Sequence, residues 1–441
     1  MAQLPLSQAV VNRKLLRRIT CVNCWHEFSK EETLWISEHD SLRGEPRIGD
    51  VLGNQQRRII GERFTPQGKA IDPGGASCTT LACPRCLLNI PEDSLEVPPL
   101  IFSLLGSPGS GKSVFLASMT HQLRRTCPSL GLTFEDADPL MNEHLLNDER
   151  RMFAEGLRDE WRPIEKIVSK TEQSETRWRE TRIEASPARF VPPYTFRMKP
   201  GFGHPRLDMA GKLTTLVCLY DNAGEHFQPG AQDAGMTLHL SRSIGLLYCF
   251  DPTNEAQVMN ALKDNAPPRR GAGERQDTVL AEAALRIRRD TRLGARQKIN
   301  KPLVIVLPKF DVWKGLLNSF LPNGSRLELL TKSKNLGIEA LSSGAIDELS
   351  EGCKKMLRSL CPAPLAAAEA VSDQVYCVPV AALGHDSVKL IGNQYHVRSP
   401  IIPAWSEIPL LLLLKLGEDA DSGPLYPRGL VPRYVSRGKE L

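Results

Sequence analysis

Residues 100–123, LIFSLLGSPGSGKSVFLASMTHQL, restrict what this chain can fold into more than any other stretch. A short apolar run leads into Gly106-Ser107-Pro108-Gly109-Ser110-Gly111-Lys112-Ser113, and an amphipathic pattern of helical period follows. This is G-x-x-x-x-G-K-[ST] with a strand before it and a helix after it. Gly109 and Gly111 let the backbone wrap so that the N–H groups of residues 106–111 point at a phosphate, and the helix N-terminus adds positive potential. Lys112 is then spaced to reach β- and γ-phosphates, and the Ser113 hydroxyl to ligate Mg²⁺. The bland alternative is a glycine-rich turn before a helix, and the flanking pattern argues against it.

A strand of this kind needs neighbours. Residues 243–253 (SIGLLYCFDPT), 301–313 (KPLVIVLPKFDVW) and 374–384 (QVYCVPVAALG) are near-continuous apolar runs, as strands covered on both faces would be. Helical patterns such as DTVLAEAALRIRRDTRL lie between them. The alternation predicts an α/β fold with a doubly wound sheet, in which ligands bind beyond the C-terminal ends of the strands. Asp221, Lys309-Phe310-Asp311 and Ala381-Ala382 fall at those ends. PYTFRMKPG and KLTTLVCLYD read as an antiparallel edge hairpin. Before it, a charged stretch around residues 135–187 reads as a long, mostly helical insertion, with Trp161 and Trp178 as packing residues.

Eleven cysteines would be odd as a disulfide framework in a chain of 441 residues. Cys127, Cys218, Cys249, Cys353, Cys361 and Cys377 are scattered and read as small buried hydrophobes. The others cluster before residue 90, in CVNC (Cys21, Cys24), Cys78 and CPRC (Cys83, Cys86). Two C-x-x-C turns supply the tetrahedral sulfur set that zinc prefers, so these four are read as ligands of a structural Zn²⁺. Cys78 and His26 are read as bystanders. A redox role is the alternative, but neither pair opens a βαβ pattern. Residues 25–82 carry few apolar runs and are read as loops and short strands hung from the metal. NIPEDSLEVPP, residues 89–99, reads as a linker. The expected organisation is a zinc-ribbon-like module and linker at 1–98, a nucleotide domain at 99–418 and a tail at 419–441.

Here the motifs become specific. DNAG, residues 221–224, resembles the DxxG switch of the translation-factor and Ras-like GTPases. PKFD, residues 308–311, resembles their guanine-reading NKxD, and VPVAALG resembles the loop that closes over the base. With two C-x-x-C pairs ahead of such a domain, the chain looks most like the bacterial double-GTPase family. The resemblance implies that Asp221 holds Mg²⁺ with Ser113 and that the Gly224 N–H contacts the γ-phosphate. It implies that Asp311 accepts the N1 and N2 protons of guanine, that the Lys309 stem covers the ring, and that the Ala382 N–H approaches O6. Lys112, Gly224 and Glu225 become the catalytic group. GTP or GDP, Mg²⁺ and a structural Zn²⁺ are the implied cofactors. Partner proteins, a second GTPase among them, in a signalling or conflict system are the implied setting.

This chain departs from the pattern at three positions. Pro308 stands for Asn or Thr and offers neither side-chain hydrogen bonds nor a backbone donor. Ala381 stands where many relatives have Ser. Glu225 stands where a Gln or His orients water, and its charge near the γ-phosphate predicts slow hydrolysis. His226 reads as a capping or surface residue. Thr171 and Thr176 both qualify as the switch threonine, and no arginine finger can be assigned. A scaffold that holds nucleotide with negligible turnover, or a P-loop ATPase, is the alternative function.

Composition excludes little else. A net charge of +5 with interspersed signs, and 6% aromatic residues, offer no basic, aromatic surface for nucleic acid. The N-terminus lacks a signal-peptide core. IIPAWSEIPLLLLLKL is broken by Pro403, Glu407 and Pro409 and falls short of the roughly 20 apolar residues of a membrane span. It reads as a buried C-terminal helix. A cytoplasmic protein with no membrane partner is expected.

Overall fold

The expected alternation of strands and helices forms a seven-stranded mixed sheet. In chain order its strands are β1 (Pro99–Leu105), β2 (Leu132–Asp136), β3 (Tyr194–Pro200), β4 (Thr215–Asp221), β5 (Gly245–Cys249), β6 (Leu303–Leu307) and β7 (Val375–Pro379). Their spatial order is β2-β3-β4-β1-β5-β6-β7. Strands β4, β1, β5, β6 and β7 run parallel, while β3 is antiparallel to both β2 and β4; the expected pairing of β3 with β4 forms, but β2, which lies outside β3, is the edge strand. The computed structural model describes residues 15–47, 55–153, 160–168, 179–183, 186–221, 237–262, 276–295, 297–325, 327–333, 337–384, 388–392, 394–419 and 426–434.

Every residue of β4, β5 and β6 is buried, which requires cover on both faces. The helices used below are α1 (Lys112–Thr126), α2 (Glu143–Phe153), α3 (His239–Arg242), α4 (Gln276–Thr291), α5 (Phe310–Leu317) and α6 (Ile408–Asp419). Leu413 of α6 packs over Gly245 of β5, with Phe102 of β1 alongside. The next residue, Ser103, points to the opposite face and bonds His239 of α3. Alternation along β1 and β4 therefore splits the core. Leu100, Phe102, Leu104, Val217 and Leu219 join the large cluster, whereas Ile101, Leu216, Cys218 and Tyr220 join a second one.

That second cluster is shared with the N-terminal segment. Ile19, Val22, Trp25, Phe28, Leu88 and Ile90 pack in it against β1 and β4. The segment is built from short strands, as expected. Arg58–Ile60, Leu34–Ile36, Thr80–Ala82 and Asn89–Ile90 form a four-stranded sheet, beside the hairpins Ile19–Thr20/Glu27–Phe28 and Arg63–Phe64/Ala70–Ile71. Residues 89–99 are a tight connection rather than a loose linker. Asp93 and Ser94 are buried, and Asp93 and Glu96 both pair with Arg197 of β3, at 2.6 and 3.3 Å.

The stretch at 135–187 also differs from its expectation. Helix covers Glu143–Phe153, but Trp161–Pro163 is a strand, and Arg179–Ile183 pairs with Ser186–Phe190 as a hairpin. Alternating charges there resemble a solvated helix face. The hairpin instead uses its period of two to turn Thr181 and Phe190 onto the N-terminal segment. Trp161 is half-buried under Arg398 and Lys389. Trp178 lies outside the described residues. Within 419–441, Arg433–Tyr434 adds a strand beside Glu339–Ser342, and Tyr426, Leu430 and Val431 are buried. The six scattered cysteines are all buried; Cys127, Cys361 and Cys377 are each pushed up to about 12, by burial first. No described helix is long and apolar enough to cross a membrane.

Candidate functional site

The chain turns at the C-terminal end of β1 through residues 106–111. At Gly106 a Cβ would stand 2.7 Å from the Cys249 carbonyl oxygen and 2.8 Å from Ser110 Oγ, so no larger residue fits between β1 and β5. Gly109 and Gly111 sit at φ +72° and +90°, the left-handed region that glycine enters freely. Gly111 is the N-cap of α1 with no side chain capping it. Ser107 and Ser110 are buried, Pro108 is half-buried, and Gly109 is exposed, which leaves the tip of the loop open. Lys112 is only 6% exposed, and its Nζ donates to the Gly106 and Ser107 carbonyls at 2.7 and 2.8 Å. The loop thus curls around a buried positive charge, a combination suited to an anion. Ser113, half-buried, follows in the first turn of α1.

Three other strand ends lie on the same side of the sheet as this loop. Asp221 ends β4, is 3% exposed, and lies in register with Leu104 of β1, two residues before Gly106. Pro308, just past β6, backs onto Gly111, where a Cβ would come within 3.8 Å of the proline ring. Beyond β7, Val380 O accepts from Phe310 N at 3.1 Å, joining the segment at 308–311 to that at 380–384. The structure thereby sets the 308–311 segment against the loop and beside residues 380–384, with Asp221 at the end of the strand next to β1. Gly224, Glu225 and His226 lie outside the described residues, as do Thr171 and Thr176.

The segment at 308–311 is braced by residues from several elements. The Pro308 carbonyl accepts from Trp313 Nε1 at 2.8 Å. Lys309 adopts a left-handed conformation (φ 57°), and its Nζ reaches Asp251 Oδ2 at 2.5 Å and Thr253 Oγ1 at 3.2 Å. Asp251 is fully buried just past β5; its Oδ1 accepts from the N–H and hydroxyl of Thr253 at 2.9 and 2.7 Å. Gln276 of α4 holds the Asp251 backbone from both sides, each bond 2.9 Å. Ala381 exchanges two backbone bonds with Ala404, at 3.1 and 3.0 Å, and Trp405 stacks on Phe310 with centroids 5.2 Å apart. Asp311 is half-buried in the first turn of α5, and Ala382 is 7% exposed.

A second site stands in the N-terminal segment. The sulfurs of Cys21, Cys24, Cys83 and Cys86 lie within 4.8 Å of one another and are buried. Cys21 and Cys86, and likewise Cys24 and Cys83, are 3.7 Å apart, far beyond a disulfide bond. Four sulfurs at about 2.3 Å from a zinc ion form a tetrahedron with edges of about 3.8 Å, so this spacing fits. The two turns are copies of one design. Trp25 N bonds Cys21 O and Leu87 N bonds Cys83 O, both at 3.0 Å. Trp25 and Leu87 both take positive φ, 56° and 60°. Backbone N–H groups of Asn23 and Arg85 point at the Cys21 and Cys83 sulfurs, at 3.3 and 3.4 Å. Burial pushes Cys21 and Cys86 well above the usual thiol range, while hydrogen bonding from Cys21 first, then Cys83, holds Cys24 well below it. Four buried thiols of this kind suit a soft cation that keeps them all as thiolates. Cys78 lies apart from them, its thiol pushed up to about 11 by burial, and His26 stacks on Phe28, so neither joins the set.

No protein-family model matches the chain, and no curated protein matches it. The site therefore stands on its own chemistry. Sequence reasoning overlooked Asp251, Thr253 and Trp405. Asp251 carries a legible signal, an acid one residue past a buried apolar run and before a proline, whereas nothing local marks Trp405.

Proposed function

We propose that this chain is a Mg²⁺-dependent guanine-nucleotide-binding protein of the P-loop GTPase class, with a doubly wound sheet of that type and a structural zinc module. In this reading it is a slow GTPase that acts as a regulatory switch among partner proteins in a bacterial signalling or defence system. The observation that carries the reading is the 106–111 loop curled around Lys112, with Asp221 and the 308–311 segment at neighbouring strand ends. Backbone N–H groups of the loop and the Lys112 ammonium would hold the phosphates. Ser113 and Asp221 would hold Mg²⁺, which when bound would neutralise phosphate charge. Asp311 would accept from guanine N1 and N2, Lys309 would lie against the ring, and the Ala382 N–H would meet O6. Gly224 and Glu225 would face the γ-phosphate, and the Glu225 carboxylate would make hydrolysis slow.

The second reading is a scaffold that holds nucleotide with negligible turnover. Glu225 and Pro308 favour it, Glu225 by its charge beside the γ-phosphate and Pro308 by offering neither side-chain hydrogen bonds nor a backbone donor to the base-reading segment. Competition binding of GTP, GDP, ATP and XTP to nucleotide-free protein with Mg²⁺, alongside Asp311→Asn, tests both. GTP and GDP should compete best, and the variant should shift toward XTP. Equal binding of ATP, with no effect of the substitution, would make the 308–311 segment a mere strand end and favour an ATPase. Single-turnover hydrolysis then separates a slow GTPase from a scaffold.

A further inference from the structure

The four-cysteine turn touches the strand that ends in Asp221. Tyr220, fully buried, donates its hydroxyl hydrogen bond to the carbonyl of Val22, which lies inside the first C-x-x-C turn. Its ring meets Trp25, the left-handed residue that closes that turn, with centroids 6.1 Å apart. On the other side it stacks on His239, at 4.6 Å and 7°. His239 Nδ1 lies 2.6 Å from Ser103 Oγ, three residues before the 106–111 loop, and Ser103 is the register partner of Tyr220. The second turn is tied to the 179–190 hairpin instead, where the Thr181 hydroxyl donates to Cys86 O at 2.7 Å.

A buried tyrosine hydroxyl must keep an acceptor, and leaving it unpaired is costly. Here the acceptor exists only while the Cys21–Cys24 turn is closed. Opening the turn removes the Val22 carbonyl, frees Trp25, and releases the residue peptide-bonded to Asp221. Alternation keeps the effect directional: Tyr220 faces the cysteine module while Asp221, one residue on, ends the strand beside the phosphate loop.

We infer that metal in the four-cysteine site and Mg²⁺-nucleotide at Asp221 are energetically coupled, with Tyr220 as the positioning residue between them. The inference rests on the nucleotide-binding reading above. Coupling of this kind is reciprocal, so each ligand must change the other's affinity by the same factor.

The test uses the full chain and measures zinc affinity against a zinc-selective competing chelator, with and without saturating Mg²⁺ and a non-hydrolysable GTP analogue. Nucleotide should tighten zinc binding about five- to tenfold, and zinc removal should weaken nucleotide binding by the same factor. Tyr220→Phe keeps the ring and should still bind both ligands, but its factor should fall close to one. Tyr426→Phe loses another buried hydroxyl bond, to Leu414 O, and should keep the full factor. Nucleotide binding with no change in zinc affinity would overturn the coupling and leave the functional reading standing. An undiminished factor in Tyr220→Phe would overturn the route through this residue. Absence of nucleotide binding by the zinc-loaded protein would overturn the functional reading, and the coupling with it. Should Tyr220→Phe fail to retain zinc, the wild-type factor decides the coupling, and His239→Ala, which removes the ring stacked on Tyr220, decides the route by lowering the factor or leaving it whole.

Discussion

Lys309 shows how a single side chain can be held by a partner that its own motif does not contain. In PKFD the first position is a proline, so the lysine cannot rely on the neighbour that an Asn would provide. It is anchored instead on Asp251, fully buried and already saturated on its other oxygen by Thr253. Because the carboxylate is buried while Lys309 is more than a third exposed, the pair orients the lysine more than it stabilises the fold. Asp251→Asn keeps the cap on Thr253 and removes the charge that fixes Lys309. We predict that guanine-nucleotide affinity falls about tenfold, as for loss of a hydrogen bond to a charged group, with little change in melting temperature. Titration with a fluorescent GDP analogue checks this, and unchanged affinity would remove Asp251 from the site.

At the scale of elements, the helix that follows the 106–111 loop packs on α2. His121 of α1 stacks on Phe153, centroids 3.7 Å apart and 5° from parallel. Burial first, then Arg125 and Arg124, pushes His121 down to about 4. The folded state therefore binds this proton less readily than the unfolded chain, whose imidazole titrates near 6.5. Its contribution is complete above pH 6.5 and is lost as pH falls from 6.5 toward 4. We predict that His121→Gln lowers stability at pH 7 yet flattens the acid slope across that window, read by thermal unfolding at pH 7.0, 5.5 and 4.5. A variant whose slope matches wild type would show that other groups govern the acid loss. The neighbouring ion pairs from Arg124 to Asp136 and Glu149, at 2.8 and 3.4 Å, join α1, β2 and α2 and should be present in both proteins.

For the whole molecule, the consequential feature is the core shared between the cysteine module and the sheet. Ile101, Leu216, Cys218 and Tyr220 are at most 5% exposed because the N-terminal segment covers them. Burying a large apolar side chain contributes about 1.5–3 kcal/mol, so uncovering this face costs several kcal/mol and presents an apolar patch to water. We predict that a fragment of residues 99–441 has severalfold lower soluble yield and melts at least about 5 °C below the full chain. The full chain should unfold in one transition. Equal yield and melting temperature for the fragment would mean that the module is an independent appendage.

The sequence alone determined the features whose chemistry is written in adjacent residues. The spacing of Gly106 to Ser113 specifies the curled loop, each C-x-x-C specifies a turn presenting two sulfurs, and buried strands read as apolar runs because both faces are covered. These depend on contacts within a few positions. What the tertiary structure decided depends on groups far apart in the chain. Lys309 finds Asp251 58 residues away, and Tyr220 finds Val22 198 residues away. The hairpin at 179–190 looked helical because its charge pattern is indifferent to period until Thr181 and Phe190 meet the cysteine module. Residues 89–99 looked like a linker because prolines and acids mark loops, yet Arg197 on a distant strand neutralises Asp93 and Glu96 and docks the segment. Local geometry is encoded by neighbours in sequence; which faces are paired is settled only when the sheet closes and buried polar groups must find their partners.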